Sequence, residues 1–338
     1  MSFIRRTTDI PSSVDNSILA QTAALLAPGQ SILMATDITK TDLEPEGSPV
    51  FQWAISAAYD SLNKKIHFVG KRDGPNFYHW VIYDIASNHW SISVPSWSGS
   101  TDTGHGYDHN TADTSGNIYH AVAPTNTVRK WNGSSWSALA DWTQNNGGAT
   151  GGLTWTPWNG GSLFYNDGII GLIKYNGSTA WDSISGIAIT GSYHDFSEYN
   201  STANVLILGG GNGSSYYKYD GSSITGIADP SAATGLTGFR ISANAGNQGI
   251  CCSDPNAAKL IAYYIETGLW AEYNINTDTW TQLTQSSGAG SSPQNGLPNI
   301  GTDSGNAIVC VTLPGYNCTM WLVHPGTGNL LCWLYRHT

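Results

Sequence analysis

The segments VRKWNGSSWSAL (128–139), LIKYNGSTAWDSI (172–184) and YYKYDGSSITGI (216–227) are one phrase written three times. An aromatic closes an apolar run, Asn-Gly or Asp-Gly supplies a turn, and a second apolar run follows, opened by Trp in two of the three. Asn-Gly and Asp-Gly suit backbone with positive φ, so the phrase reads as a β-hairpin. VIYDIASNHWSI (81–92), AEYNINTDTWTQL (271–283) and a degraded WLVHPGTGNLLCWL (321–334) extend it to six copies. A chain that repeats one hairpin at a long period is constrained to a repeat architecture before any other feature is weighed.

A second phrase precedes each copy. It is an apolar run, an Asp or Asn, two or three turn residues and another apolar run, as in AAYDSLNKKIHFV (57–69), TADTSGNIYHAV (111–122), SEYNSTANVLIL (197–208) and CCSDPNAAKLIAYY (251–264). TWTPWNGGSLFY (154–165) is the loosest copy and IGTDSGNAIVCV (300–311) the last. The anchors Asp60, Asp113, Asn159, Asn200, Asp254 and Asp303 stand 41 to 54 residues apart. Two hairpins per unit make four strands, and six such units predict a six-bladed all-β propeller over residues 50–338. The repeated Tyr or Trp, turn and Trp about six residues later resemble kelch-type repeats. The resemblance, which includes the central domain of galactose oxidase, runs from about Phe51 to Thr338; the paired glycines of such repeats are clear only at Gly209-Gly210-Gly211. It implies the propeller fold. No pair of Tyr and His copper ligands can be assigned, and the Ser-x-Asp-x-Gly-x-x-Trp motif of sialidases is missing.

Residues 1–49 lie outside the repeats and form an N-terminal arm. A twin Arg (Arg5, Arg6) precedes a short apolar run, but Asp9, Pro11 and Asp15 interrupt it, so no cleaved signal peptide is expected. A short helix fits better, capped by Ser13 or Asp15, with Val14, Ile18, Thr22 and Leu25 on one stripe and a stop at Pro28-Gly29. That stripe is expected to meet other subunits of an assembly. QSILMATDI (30–38) is a spare strand, expected to lie outside the sixth blade or to pair with a neighbour.

Composition removes several function classes. Charged residues are only 11%, against roughly 25% in an average domain. A net charge of -10 argues against nucleic acid as a partner. No run reaches the ~18 apolar residues of a membrane span. The five cysteines (Cys251, Cys252, Cys310, Cys318, Cys332) have no C-x-x-C spacing, which points to buried thiols rather than zinc; a Cys318–Cys332 or Cys310–Cys332 bridge stays open. GHGYDHN places His105, Asp108 and His109 together, and SYHDFSEY places His194 beside Asp195 with Glu198 nearby. Both read first as polar loops at strand starts, not as metal or catalytic sites. No cofactor is expected, and five Asn-x-Ser/Thr sequons read as turn chemistry.

Up-and-down strands send the two short turns of every unit to one end of the ring. The second loops and the crossings between units emerge at the other end, where the sequence is long and irregular. Arg72, Tyr78, Trp97, His105, Trp142, Tyr193, His194, Arg240 and Tyr316 are placed there as candidate binding residues, because exposed aromatics and arginines carry interface energy. Three function classes follow. The first is a non-enzymatic structural or attachment component of a larger assembly such as a phage or virus particle, at an extracellular surface, binding a partner protein, receptor or surface glycan. The others are a free-standing carbohydrate-binding propeller and a hydrolase or lyase with carboxylates near the channel.

Overall fold

The computed structural model describes residues 15–338 apart from 46, 48, 72–76, 100–104, 123–124, 144–150, 169, 185–193, 211–214, 231–248, 266, 287–290, 301–306 and 326–328. Most of the short turns are held by their own first side chain. Asp60 Oδ1 accepts the N–H groups of Leu62 and Asn63, both at 3.0 Å. Asn132 Oδ1 takes those of Ser134 (3.0 Å) and Ser135 (2.9 Å), and Asp220 Oδ1 those of Ser222 (2.9 Å) and Ser223 (2.7 Å). Such Asx turns satisfy backbone donors locally and fix where a strand reverses. A left-handed residue completes the reversal, whether a glycine such as Gly133 (φ 93°) or Lys64, Asn88, Asn204 and Asp278 at φ between 52° and 55°.

The turns generate a six-bladed β-propeller of antiparallel blades. Blades 1 to 5 follow one another along the chain, with inner strands Ala58–Asp60, Asn110–Ala112, Gly152–Thr156, Asp195–Asn200 and Gly249–Ser253. The inner strand of blade 6 is Ile308–Leu313, and the six inner strands contact one another around the central axis. Apolar residues on facing blades fill the wedges between them; Phe51 and Phe68 meet edge-on at 4.7 Å between blades 6 and 1.

Blade 6 departs from the sequence reading. Its strands are Ile308–Leu313, Cys318–Val323 and Leu331–Arg336, and its fourth comes from the arm: Gln30–Met34 pairs antiparallel with Leu331–Arg336, Ile32 opposite Leu334. The segment read as spare therefore closes the ring, and a two-residue strand, Gln294–Asn295, adds beyond it. The last repeat thus supplies three strands, not four. Its first turn is Pro314–Asn317, with Asn317 left-handed at φ 55°, while the supposed anchor Asp303 lies outside the described residues. The WLVHPGTGNLLCWL phrase is consequently a second loop. Burial of Ile32 and Met34, each under 10% exposed, contributes about 1.5–3 kcal/mol apiece to closure.

The arm helix spans Ile18–Leu25 and is capped by Ser17, whose Oγ accepts Ala20 N–H at 3.1 Å. Asp15 does not cap it but accepts Ser17 N–H, and Ser13 lies outside the described residues. The helix buries Leu19 and Ala23, with Leu26 just beyond, in the core shared by blades 6 and 1. Ile18 (47%) and Leu25 (66%) are exposed on the other side, and Val14 lies outside the described residues. All five cysteines are buried free thiols, and Cys332 faces Leu322, not Cys318. Among the described residues no helix is long and apolar enough to cross a membrane.

Candidate functional site

The inner strands are drawn together at the end from which the crossing segments emerge. Ile55 N–H donates to Tyr107 O (2.9 Å), Cys310 N–H to Ile55 O (3.0 Å) and Leu153 N–H to Asp108 O (2.7 Å). Gly152 allows blades 3 and 4 to touch, since an added Cβ would lie 2.4 Å from Ser197 N. Asp108 ties the knot: Oδ2 accepts Ser197 N–H at 2.6 Å and Oδ1 is hydrogen-bonded to Ser56 Oγ, so one carboxyl joins blades 1, 2 and 4. Thr154 Oγ1 adds a bond to Ser197 O at 2.6 Å.

Above this knot the strands part around a cup of about 160 Å³. Its floor residues Ser56, Asp108, Leu153, Ser197 and Cys310 are all buried, whereas Tyr59, Thr111, Trp155, Glu198, Tyr199 and Thr312 are half-buried. The gradient shows that the cup opens at the short-turn end. Burial pushes the Asp108 carboxyl up to about 7 against the pull of its two hydrogen bonds. Glu198 faces the cup yet sits deep in the molecule; burial, then the neighbouring Asp108, holds its carboxyl well above the usual range, and Ser253 offsets part of this. Asp108 has both oxygens engaged, so Glu198 is left as a single accessible carboxyl. The described lining of the cup holds no His or Lys; its other titratable groups are the Tyr59 and Tyr199 hydroxyls and the Cys310 thiol.

Beside the cup runs a groove of about 620 Å³ between blades 2 and 3. Trp155 lines both. Its backbone N–H donates to Thr111 Oγ1 at 3.1 Å, and Gly161, at φ 121°, leaves room for the indole, 3.2 Å from where a Cβ would sit. Tyr119 and Tyr175 share the groove; their hydroxyls are occupied by Asp113 Oδ2 (2.9 Å) and Ser178 O (2.8 Å). Lys174 and Asp182 stand opposite each other in register, with Lys130 across the groove. The site therefore offers aromatic surface, ammonium and carboxylate groups in one concave space, a composition suited to a small polar ligand.

The described residues among those chosen from sequence lie outside the cup and groove. Tyr78 (0% exposed) packs between Trp97 and His120 at 5.1 and 5.2 Å. Trp142 (2%) stacks on Tyr165 at 4.6 Å, and His105 is buried against Trp53 and Tyr107. His194 stacks on Trp53 at 5.9 Å, and burial draws its imidazole down to about 4. Trp97 is half-buried in the seam between blades 1 and 2. These side chains fill wedges that widen between blades, which is why aromatic loops turn inward here. Tyr316 belongs to the other end: it lies in the first turn of blade 6 and donates to Asp15 Oδ2 at 2.7 Å, pinning the arm. Arg72, Tyr193 and Arg240 lie outside the described residues. Sequence reading passed over Trp155, although a Trp beside Gly160-Gly161 in the loosest repeat was its signal. Asp108 was seen only as part of a histidine motif. Among the described residues, no three His, Cys, Asp or Glu side chains gather as a metal-binding set.

No protein-family model matches the chain, and no curated protein does. Solved structures do. A protein of unknown function from Bacteroides thetaiotaomicron aligns with a TM-score of 0.57 at 10% identity, over 90% of this chain and 76% of that one. Virginiamycin B lyase from Staphylococcus aureus aligns at 0.48 and 11% identity (84% and 85%), and a chain of a nidogen/laminin complex at 0.48 and 10% (75% and 92%). At such identities the likeness is one of fold alone, and these neighbours include both an enzyme and a non-enzyme.

Proposed function

We propose that this β-propeller is a non-enzymatic attachment protein that holds a surface saccharide at its short-turn end, in the groove between blades 2 and 3. The observation that carries the reading is Trp155, a half-buried indole at the junction of groove and cup. An aromatic face suits the C–H face of a sugar ring, while Lys130, Lys174 and Asp182 suit its hydroxyls. The test is a saccharide panel read by calorimetry on the whole chain. The reading expects at least one ligand whose affinity falls by about 1–3 kcal/mol in Trp155→Ala, a hot-spot loss; a ligand indifferent to Trp155 would remove the groove from the account.

A second reading, that the chain is one part of a larger particle, viral or otherwise, draws support from the arm. Ile18 and Leu25 stay exposed on a helix that already buries its other stripe. Ile18→Asp with Leu25→Asp is expected to abolish self-association or particle incorporation by light scattering, with monomer melting unchanged. A monomer that melts markedly earlier would make those residues part of the fold instead.

A further inference from the structure

Two of the seams between blades share a plan that a third breaks. Trp181, at the start of the fourth strand of blade 3, donates Nε1–H to Ala140 O at 2.8 Å; Trp280, its counterpart in blade 5, donates to Ala228 O at 2.9 Å. In both, the acceptor is a carbonyl of the crossing that leads into the blade. Trp136 holds the same position in blade 2, and its Nε1 is shut off from solvent without an acceptor among the described residues. The crossing there brings Trp97 instead, ring centroids 6.0 Å apart, and Trp97 Nε1 is buried and unpaired as well. Arg129 completes the cluster. Its guanidinium carbon lies 5.4 Å from the Trp97 ring, its Nε is buried without an acceptor, and it has no ion pair among the described residues.

Elsewhere most buried indoles are satisfied, although Trp142 and Trp333, each away from a cation, also keep Nε1 without an acceptor among the described residues. Trp80, Trp158, Trp270 and Trp321 all place Nε1–H on an acceptor between 2.7 and 3.2 Å. Buried indole N–H groups normally find a partner, and a cation drawn from water without an anion is costly. Three unpaired donors in one seam, one of them cationic, mark a place where an acceptor with negative charge belongs. A guanidinium with no ion pair among the described residues matches a monoanion, and its planar fork matches a carboxylate. Trp97, Trp131 and Trp136 are half-buried, so a ring can lie against them.

We infer that the seam between blades 1 and 2 is a second ligand site, in which Arg129 and the Trp97–Trp136 pair take the carboxylate of a small ring-bearing acid such as a hexuronic acid. It is independent of the groove. Arg129 and Lys130 are consecutive on one strand and so project from opposite faces of blade 2. The overall charge of -10 repels an anion at long range, so weak binding is expected.

The probe is D-glucuronate titrated into the full chain, read by intrinsic tryptophan fluorescence, with D-glucose as the uncharged control. A saturable change with glucuronate and none with glucose is expected. Arg129→Gln is expected to weaken it roughly tenfold or more, as loss of a charge-assisted bidentate contact does, while Trp155→Ala leaves it intact. Should Arg129→Gln fail to fold by circular dichroism, Arg129→Lys serves, and a weakened but measurable response is expected. Equal responses to the two sugars, no saturable response, or unchanged affinity in the Arg129 variants would each overturn the proposal. Loss of the response in Trp155→Ala alone would overturn it too, since the ligand would then sit in the groove.

Discussion

The two ends of the ring solve the same geometric problem differently. Where the crossings emerge, inner strands converge on Asp108, and bulky side chains such as Tyr78 and Trp142 turn inward to fill the space between blades. Where the short turns lie, Asx-held reversals are too tight to reach over the channel, and the cup and groove stay open around Trp155 and Glu198. Among the described residues, loop length and irregularity therefore do not mark the accessible end: the described aromatics of the crossing segments are largely buried, and the short turns leave the strand ends uncovered.

The contrast can be broken by mutation. The largest effect is expected from removing residues 1–34, which takes away the fourth strand of blade 6 and opens the ring; cooperative unfolding by urea, followed by circular dichroism, is expected to disappear. Removal of residues 1–29 spares that strand but strips Leu19, Ala23 and Leu26 from the core, so a folded, less stable product is expected. If both deletions melt like the full chain, the arm is not part of the closure.

Next in size is Trp142→Ala. A fully packed indole at the crossing end is expected to cost about 3–5 kcal/mol in denaturant unfolding. A loss under about 0.5 kcal/mol, the range of surface substitutions, would mean that the side chain is not wedged between blades.

A smaller, pH-dependent effect is expected at Asp108. Burial holds this carboxyl near 7 in the folded protein, against an ordinary value of 3.8. Between the two values the folded state keeps a proton that the unfolded chain releases, so this group's contribution falls as pH rises from about 4 to about 7 and is level above. The stability of the native chain relative to Asp108→Asn is expected to drop across that window by on the order of a few kcal/mol. Taking the difference cancels Asp195, which slopes the same way, and His67, which slopes the other; Glu198 is coupled to Asp108 and is removed by making both measurements in a Glu198→Gln background. A flat difference would show that Asp108 is ionised throughout.

Much of the architecture was legible because turn chemistry is local. Asp60, Asn132, Asn176 and Asp220 announce their reversals by bonding to their own backbone, and five blades follow from such signals. Blade 6 was misread because closure is not local: Gln30–Met34 pairs with a strand about 300 residues away. The helix shows a subtler limit. Ile18 and Leu25 lie on one stripe and Leu19, Ala23 and Leu26 on another, and only the neighbouring blades decide which is buried. The site was hidden for a related reason, since the accessibility of Trp155 depends on Gly160-Gly161 and on how blade 2 stands beside it. Identical residue types at Trp142 and Trp155 thus have opposite fates.

Hydroxyl-radical footprinting of the full chain, with modification of each aromatic followed by mass spectrometry, tests this account most directly. Trp155 is predicted to react well ahead of Trp142 and Tyr78, and a saccharide bound at saturation is predicted to slow Trp155 alone among the three. Faster modification of Trp142 or Tyr78, or ligand protection at those residues with none at Trp155, would contradict it and return the working surface to the crossing end.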